Sequence, residues 1–128
     1  MDNYGYSSSQ AQIKSVDVTP CKGNICVLER GSNVSIKVTF IPKQVMAKGK
    51  VVVHGVIAGV PIPFPPPVVD ACQNSGLTCP LASGTPYTYT AVLPVLKVYP
   101  SVKCIVKWEL RDQKGEDVFC WEMAAQIK

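Results

Sequence analysis

The segment from Val51 to Pro67, VVVHGVIAGVPIPFPPP, carries no Asp, Glu, Lys or Arg, and Pro61, Pro63, Pro65, Pro66 and Pro67 all fall within it. Each proline lacks the N–H that a helix or a sheet ladder needs. The alternation therefore forbids a helix and keeps these prolines out of a central strand. A membrane-spanning helix would need about 20 helix-compatible apolar residues, which this run does not offer. What remains is a buried strand from Val51 to Ile57, followed by an extended apolar edge in which Ile62 and Phe64 project between prolines. Such an edge is a poor interior for a close-packed core. It suits the rim of a cavity that accepts an apolar guest.

The chain has 128 residues, enough for one domain that buries roughly two-thirds of its unfolded surface. The opening MDNYGYSSSQ is polar and Ser-rich and holds no signal peptide, so it reads as a mature or engineered form that starts after a removed leader. Residues 1–10 are expected to be disordered or loosely attached, and residues 11–128 to form a single domain. The net charge is +4, and the 13 basic residues are spread from Lys14 to Lys128. A nucleic-acid interface would cluster them. Weak attraction to anionic membranes, or a plain solvated surface, fits better.

Six cysteines in a chain of this size point to an oxidising compartment. Cys21 and Cys26 enclose KGNI, and Cys72 and Cys79 enclose QNSGLT; both loops hold Gly and Asn, so two local disulfides are the natural pairing. Structural zinc prefers closer spacing, and only one histidine is available, so no metal is expected. Asn33-Val34-Ser35 is a glycosylation sequon, which counts if the protein is secreted.

Strand patterns dominate the rest. Strands are predicted over 13–19, 34–40, 50–57, 87–93, 102–111 and 118–127, and no segment has a helical period with caps. Short strands between Gly, Pro and Asn turns predict an all-β, immunoglobulin-like two-sheet β-sandwich. Trp108 and Trp121 fall on the inward faces of the last two strands. They form either a core aromatic pair or a cavity wall, and pattern alone favours core. Centring the last hairpin on Lys114 and Gly115 sets Cys104 opposite Ala125 and Cys120 opposite Glu109. Cys104 then points inward and Cys120 outward, and a bond between them would be distorted. Cys104 is expected to be a buried thiol, and Cys120 to lack a partner within the chain.

Catalytic chemistry is missing. His54 is the only histidine and sits in a Val-rich strand, where a structural or rim role is the simpler reading. The acidic residues form no metal or glycosidase pair, and no nucleophile elbow, P-loop or dinucleotide fingerprint occurs. The chain reads as a binding protein without a cofactor. Asp70, just before Cys72, most simply starts a turn.

The ordered motifs HGVIAGVPIPFPPP, DACQNSGLTCP, LPVLKVYPSVK and VKWELRDQKGEDVFCWE resemble the ML lipid-recognition domain family, and within it the soluble sterol carriers. The resemblance runs from about Val16 to Ile127. It implies two sheets splayed to leave an internal apolar pocket, with Ile62, Phe64, Leu93, Pro94, Val95, Tyr99, Trp108 and Trp121 as walls. Phe64 and Tyr99 would flank its mouth. Val60 and Pro61 match an exposed loop that meets membranes or a membrane-bound acceptor, and Asp70 matches a position tied to transfer. Gln73 stands where such carriers have a basic residue. The resemblance also implies three disulfides. Two match Cys21–Cys26 and Cys72–Cys79, while the third would join the position of Cys120 to an N-terminal cysteine that this chain lacks. Cys104 and Cys120 are thus expected as free thiols.

The function these features imply is a secreted or endolysosomal carrier of a sterol, handed to membranes or to a membrane sterol receptor. An extracellular carrier of fatty acids or semiochemicals in an arthropod keeps the same fold. A lipid-sensing co-receptor is a third reading. A monomer is expected, with a Cys120-linked dimer as the variant.

Overall fold

The computed structural model describes residues 4–7, 11–64, 66 and 68–128. Its strands are β1 (Tyr4–Ser7), β2 (Ala11–Thr19), β3 (Cys26–Leu28), β4 (Asn33–Pro42), β5 (Lys50–Ile57), β6 (Val60–Pro63), β7 (Tyr87–Pro94), β8 (Lys103–Arg111) and β9 (Asp117–Ile127). Among the described residues no helix is long and apolar enough to cross a membrane. A six-stranded sheet orders β1-β9-β8-β5-β6, with β3 also on β9, and faces a three-stranded sheet β2-β4-β7. This is the all-β, two-sheet sandwich that the alternation predicts.

The alternation is clearest in β4, where Val34, Ile36, Val38 and Phe40 are buried while Ser35 and Lys37 face solvent. β2 needs one more device. Ala11 and Ile13 lie opposite Pro42 and Phe40, yet Val16 and Val18 lie opposite Val38 and Ile36, because the register slips between Ile13 and Ser15. A one-residue bulge moves the side chains that follow to the other face, and here it keeps both halves of β2 turned inward.

Residues 1–10 were expected to be loosely attached, but Tyr4–Ser7 pairs antiparallel with β9, Tyr4 opposite Met123 and Ser7 opposite Cys120. Backbone pairing on an open edge does not need an apolar pattern, which is why polar composition concealed it. Residues 1–3 and 8–10 lie outside the described residues. β3 runs parallel to the end of β9, Cys26 opposite Ala125 and Leu28 opposite Ile127. Since β8 holds one side of β9, β1 and β3 follow one another along its other side.

The proline-rich edge becomes β6, the last strand of the large sheet. Ala58 and Gly59 both have positive φ, 51° and 80°, which makes the two-residue turn whose twist suits a hairpin. β6 then pairs with β5, Ile62 opposite Gly55 and Pro63 opposite His54. An outermost strand can hold Pro61 and Pro63 because one side of its ladder is unused. Pro65 and Pro67 lie outside the described residues.

The core is filled with aromatic rings. Trp108 and Trp121 are directly opposite each other on β8 and β9, with centroids 5.9 Å apart and planes 13° from parallel. Phe119 meets Phe40 edge-on at 5.1 Å and Tyr89 at 6.0 Å, joining the two sheets. Both tryptophans, Phe40 and Phe119 are wholly buried. Burial pushes the Tyr89 phenol up to about 12.

Candidate functional site

At the other end of the sandwich the filling gives way to a small void. β5 borders it through His54 and Gly55, β8 through Cys104 and Val106, and Leu28 and Ile127 close it from β3 and β9. Leu93, Val95, Tyr99 and Phe64 complete the wall. The lining holds no carboxylate, lysine or arginine. Its volume is about 20 Å³, room for roughly one water molecule. The sheets therefore stand closer here than the expected splayed pocket. An organic ligand needs roughly 300 Å³ or more, so entry requires the wall to move.

The rim of that wall is formed by two segments. Phe64 follows the edge strand β6, tied by its N–H to the Val53 carbonyl at 2.9 Å. Its ring lies 4.8 Å from that of Tyr99. Tyr99 sits in the turn after β7, where its N–H donates to Leu96 O and its carbonyl accepts from Arg30 Nη1 at 3.3 Å. Val95 is tied to the turn before β4 by two backbone bonds, Gly31 N–H to Val95 O and Val95 N–H to Ser32 O. Two aromatic rings on segments at the rim thus close the void from outside. Leu96, Val98 and Val60 are exposed on the same segments, Val98 by 84% and Val60 by 58%.

Of the expected wall residues, the structure brings together Phe64, Leu93, Val95 and Tyr99. Pro94 is half-buried beside them but is not part of the lining, and Ile62, opposite Gly55, is 45% exposed. Trp108 and Trp121 are not in the lining either; they belong to the filled core, with Val106 between Trp108 and the void. Pro61 is exposed in β6. Asp70 is not brought to this end. It bridges to Lys50, five residues back along β5 from Gly55, roughly 17 Å at the usual rise per strand residue. Its Oδ1 accepts from the Cys72 N–H at 2.9 Å, which makes it a turn starter. Leu28, Gly55, Val106 and Ile127 are lining residues that sequence reasoning missed. Val106 and Gly55 had a signal, since both share the inward face of their strands; Leu28 lies in a strand that had none.

Cys21 and Cys26 are bonded, as are Cys72 and Cys79, with sulfurs 2.02 and 1.96 Å apart. Cys104 and Cys120 are free. Cys104 was expected to be buried, but it is half-buried on the wall of the void, where desolvation raises its thiol pKa. Cys120 was expected on the outer face, and it pairs with Glu109 there, yet it is only 5% exposed. Facing outward is not the same as meeting solvent, and a thiol this enclosed is poorly placed to link two chains. Burial pushes it up to about 11. Glu109, Asp117 and Cys120 place their ligand-type atoms within 4.8 Å of one another. Cations already serve the acids: Arg111 lies 3.1 Å from Glu109 and 3.6 Å from Asp117, and Lys107 lies 4.0 Å from Glu109. Asn33 opens β4 and is exposed.

Two facing sheets, an aromatic core, and a small void lined without carboxylate, lysine or arginine and bordered by Phe64 and Tyr99 define a β-sandwich with an internal apolar void. The chain belongs to the ML domain family, which matches over residues 5–127. It is 42% identical over 116 residues to NPC intracellular cholesterol transporter 2 of Bos taurus, covering 91% of this chain and 77% of that one. It is 43% identical over 122 residues to the ecdysteroid-regulated 16 kDa protein of Manduca sexta, 94% and 83% of the two chains. Among solved structures it resembles a Niemann-Pick type C2 protein from the Japanese carpenter ant, with TM-score 0.90 and 26% identity over 95% of this chain and 96% of that one.

Proposed function

We propose that this chain is a carrier, not an enzyme, that takes a sterol-type lipid into the void behind Phe64 and Tyr99 and releases it at a membrane or to a membrane-bound acceptor. The observation that carries this reading is a void lined without carboxylate, lysine or arginine at a rim of two aromatic rings, in a chain 42% identical to a protein named as a cholesterol transporter. Burying about 400 Å² of apolar ligand surface at roughly 25 cal/mol/Å² offers on the order of 10 kcal/mol before association costs. That supports sub-micromolar binding with no charged anchor. The exposed Val60, Leu96 and Val98 beside the mouth, together with a net charge of +4, suit brief contact with an anionic membrane surface. The disulfides and the sequon at Asn33 fit a secreted or endolysosomal location.

Displacement of a fluorescent sterol from the purified chain tests the reading. Cholesterol should displace it at sub-micromolar concentration, with oleic acid competing more weakly. A chain that takes up no sterol would sink the proposal. Oleic acid winning the competition would move it to a fatty-acid carrier.

A further inference from the structure

The glycines of this chain do unlike jobs, and Gly55 has the least ordinary one. It stands in the middle of β5, among valines, where a residue with no side chain gives up both packing and chain order. Backbone geometry does not demand it, because Gly55 is not among the residues with positive φ. Tight packing does not demand it either. A Cβ built there would meet only Phe64 Cδ2, at 4.0 Å, which is ordinary contact. Gly49 shows the contrast: its Cβ would meet Met46 Cε at 2.9 Å, Ala71 Cβ at 3.1 Å and Leu110 Cδ1 at 3.2 Å. Gly49 is small because its neighbours fill the space. Gly55 is small where space is left.

That space is the void. Gly55 is buried on the inward face in one row with Val106 and Met123, and it borders the void beneath the Phe64 ring. When Phe64 swings aside, the floor beneath it is the bare backbone of Gly55. We propose that Gly55 is the residue that sets the width of the lipid site, and that its missing side chain makes room for a fused-ring sterol beyond what a single acyl chain needs. The inference rests on the carrier reading above and assigns the selectivity of that same site.

The test is a graded series, Gly55→Ala, Gly55→Val and Gly55→Leu, in the full chain. Each variant is titrated with a fluorescent sterol and with a fluorescent single-chain fatty acid, and its thermal unfolding is recorded. Gly55→Ala should bind sterol within about threefold of the parent, since its methyl group meets only the Phe64 edge at contact distance. Gly55→Val should lose about tenfold, and Gly55→Leu about a hundredfold. The single-chain probe should lose less than tenfold throughout. The Ala variant should melt no lower than the parent, because it adds strand propensity and its methyl meets only an ordinary contact. Val and Leu exceed the void of about 20 Å³ and should melt lower, so binding is read well below their melting temperatures. If Gly55→Leu fails to fold, the Ala-to-Val step and its probe ratio decide the matter.

A parent that binds sterol, with Val and Leu variants binding it equally well, overturns this inference alone. Equal proportional losses for both probes do the same, because they mean the whole site was damaged, not narrowed. A parent that takes up neither probe overturns the carrier reading and this inference with it.

Discussion

The two ends of the sandwich are built on the same strands and differ in what fills them. At one end Trp108, Trp121, Phe119, Phe40 and Tyr89 interlock across both sheets with ring centroids 5.1 to 6.4 Å apart. At the other, two positions further along β5 and β8, the inward residues are Gly55 and Val106 and the space between the sheets is not filled. An aromatic end stabilises the fold by close packing. A glycine-and-aliphatic end gives up some of that packing, and on the proposed reading it is where a guest enters once the wall moves. Stability and binding are therefore expected to segregate along the strands, and substitutions at the two ends should fail in different assays.

The sharpest test sits at the filled end. Trp108→Ala removes a wholly buried ring and should cost about 3–5 kcal/mol of stability in urea unfolding. A cost no larger than that of Phe64→Ala would break the comparison. At the open end Phe64→Ala should weaken sterol binding at least tenfold, about 1.4 kcal/mol, with a smaller loss of stability. Tyr99→Ala should follow it. If both variants bind like the parent, the void is not the site.

A third test uses the two thiols. Unfolded protein should show both Cys104 and Cys120 reacting with a thiol reagent. In the native state Cys104 should react several-fold faster, being half-buried against 5% exposure for Cys120, and saturating sterol should protect Cys104 alone. Protection of Cys120, or of neither, would put the guest elsewhere.

A smaller effect concerns alkaline pH. Burial holds Cys120 up to about 11 against an ordinary 9.0, so the folded chain keeps a proton that the unfolded chain releases across that window. Proton binding by the native state then makes stability fall as pH rises from 9 to 11. Tm should drop over this range in the parent and drop less in Cys120→Ala. Equal slopes would show that Cys120 is not the group responsible.

Much of the fold was legible in the sequence. Period-two alternation marks β4, β8 and β9, and the Lys114–Gly115 turn gives the β8–β9 register, including Cys120 opposite Glu109. β1 and β3 were not legible, because they are short, lack alternation, and exist by pairing with β9. The candidate site was half legible. Phe64 and Tyr99 stand out by family motif, whereas Leu28 reaches the void only because β3 docks there. The placing of Trp108 and Trp121 shows the limit of motif reasoning. Their inward faces were correctly read, but whether an inward ring meets a void or another ring depends on its partners across the interior.

By itself the sequence determined which segments are extended, which face of each turns inward, and that the proline run must lie at an edge, because each follows from local sterics and backbone hydrogen bonding. Only the tertiary structure decided where the interior is filled and where it is left open. That depends on which side chains from strands distant in sequence reach the same point between the sheets, and on Gly55 presenting none.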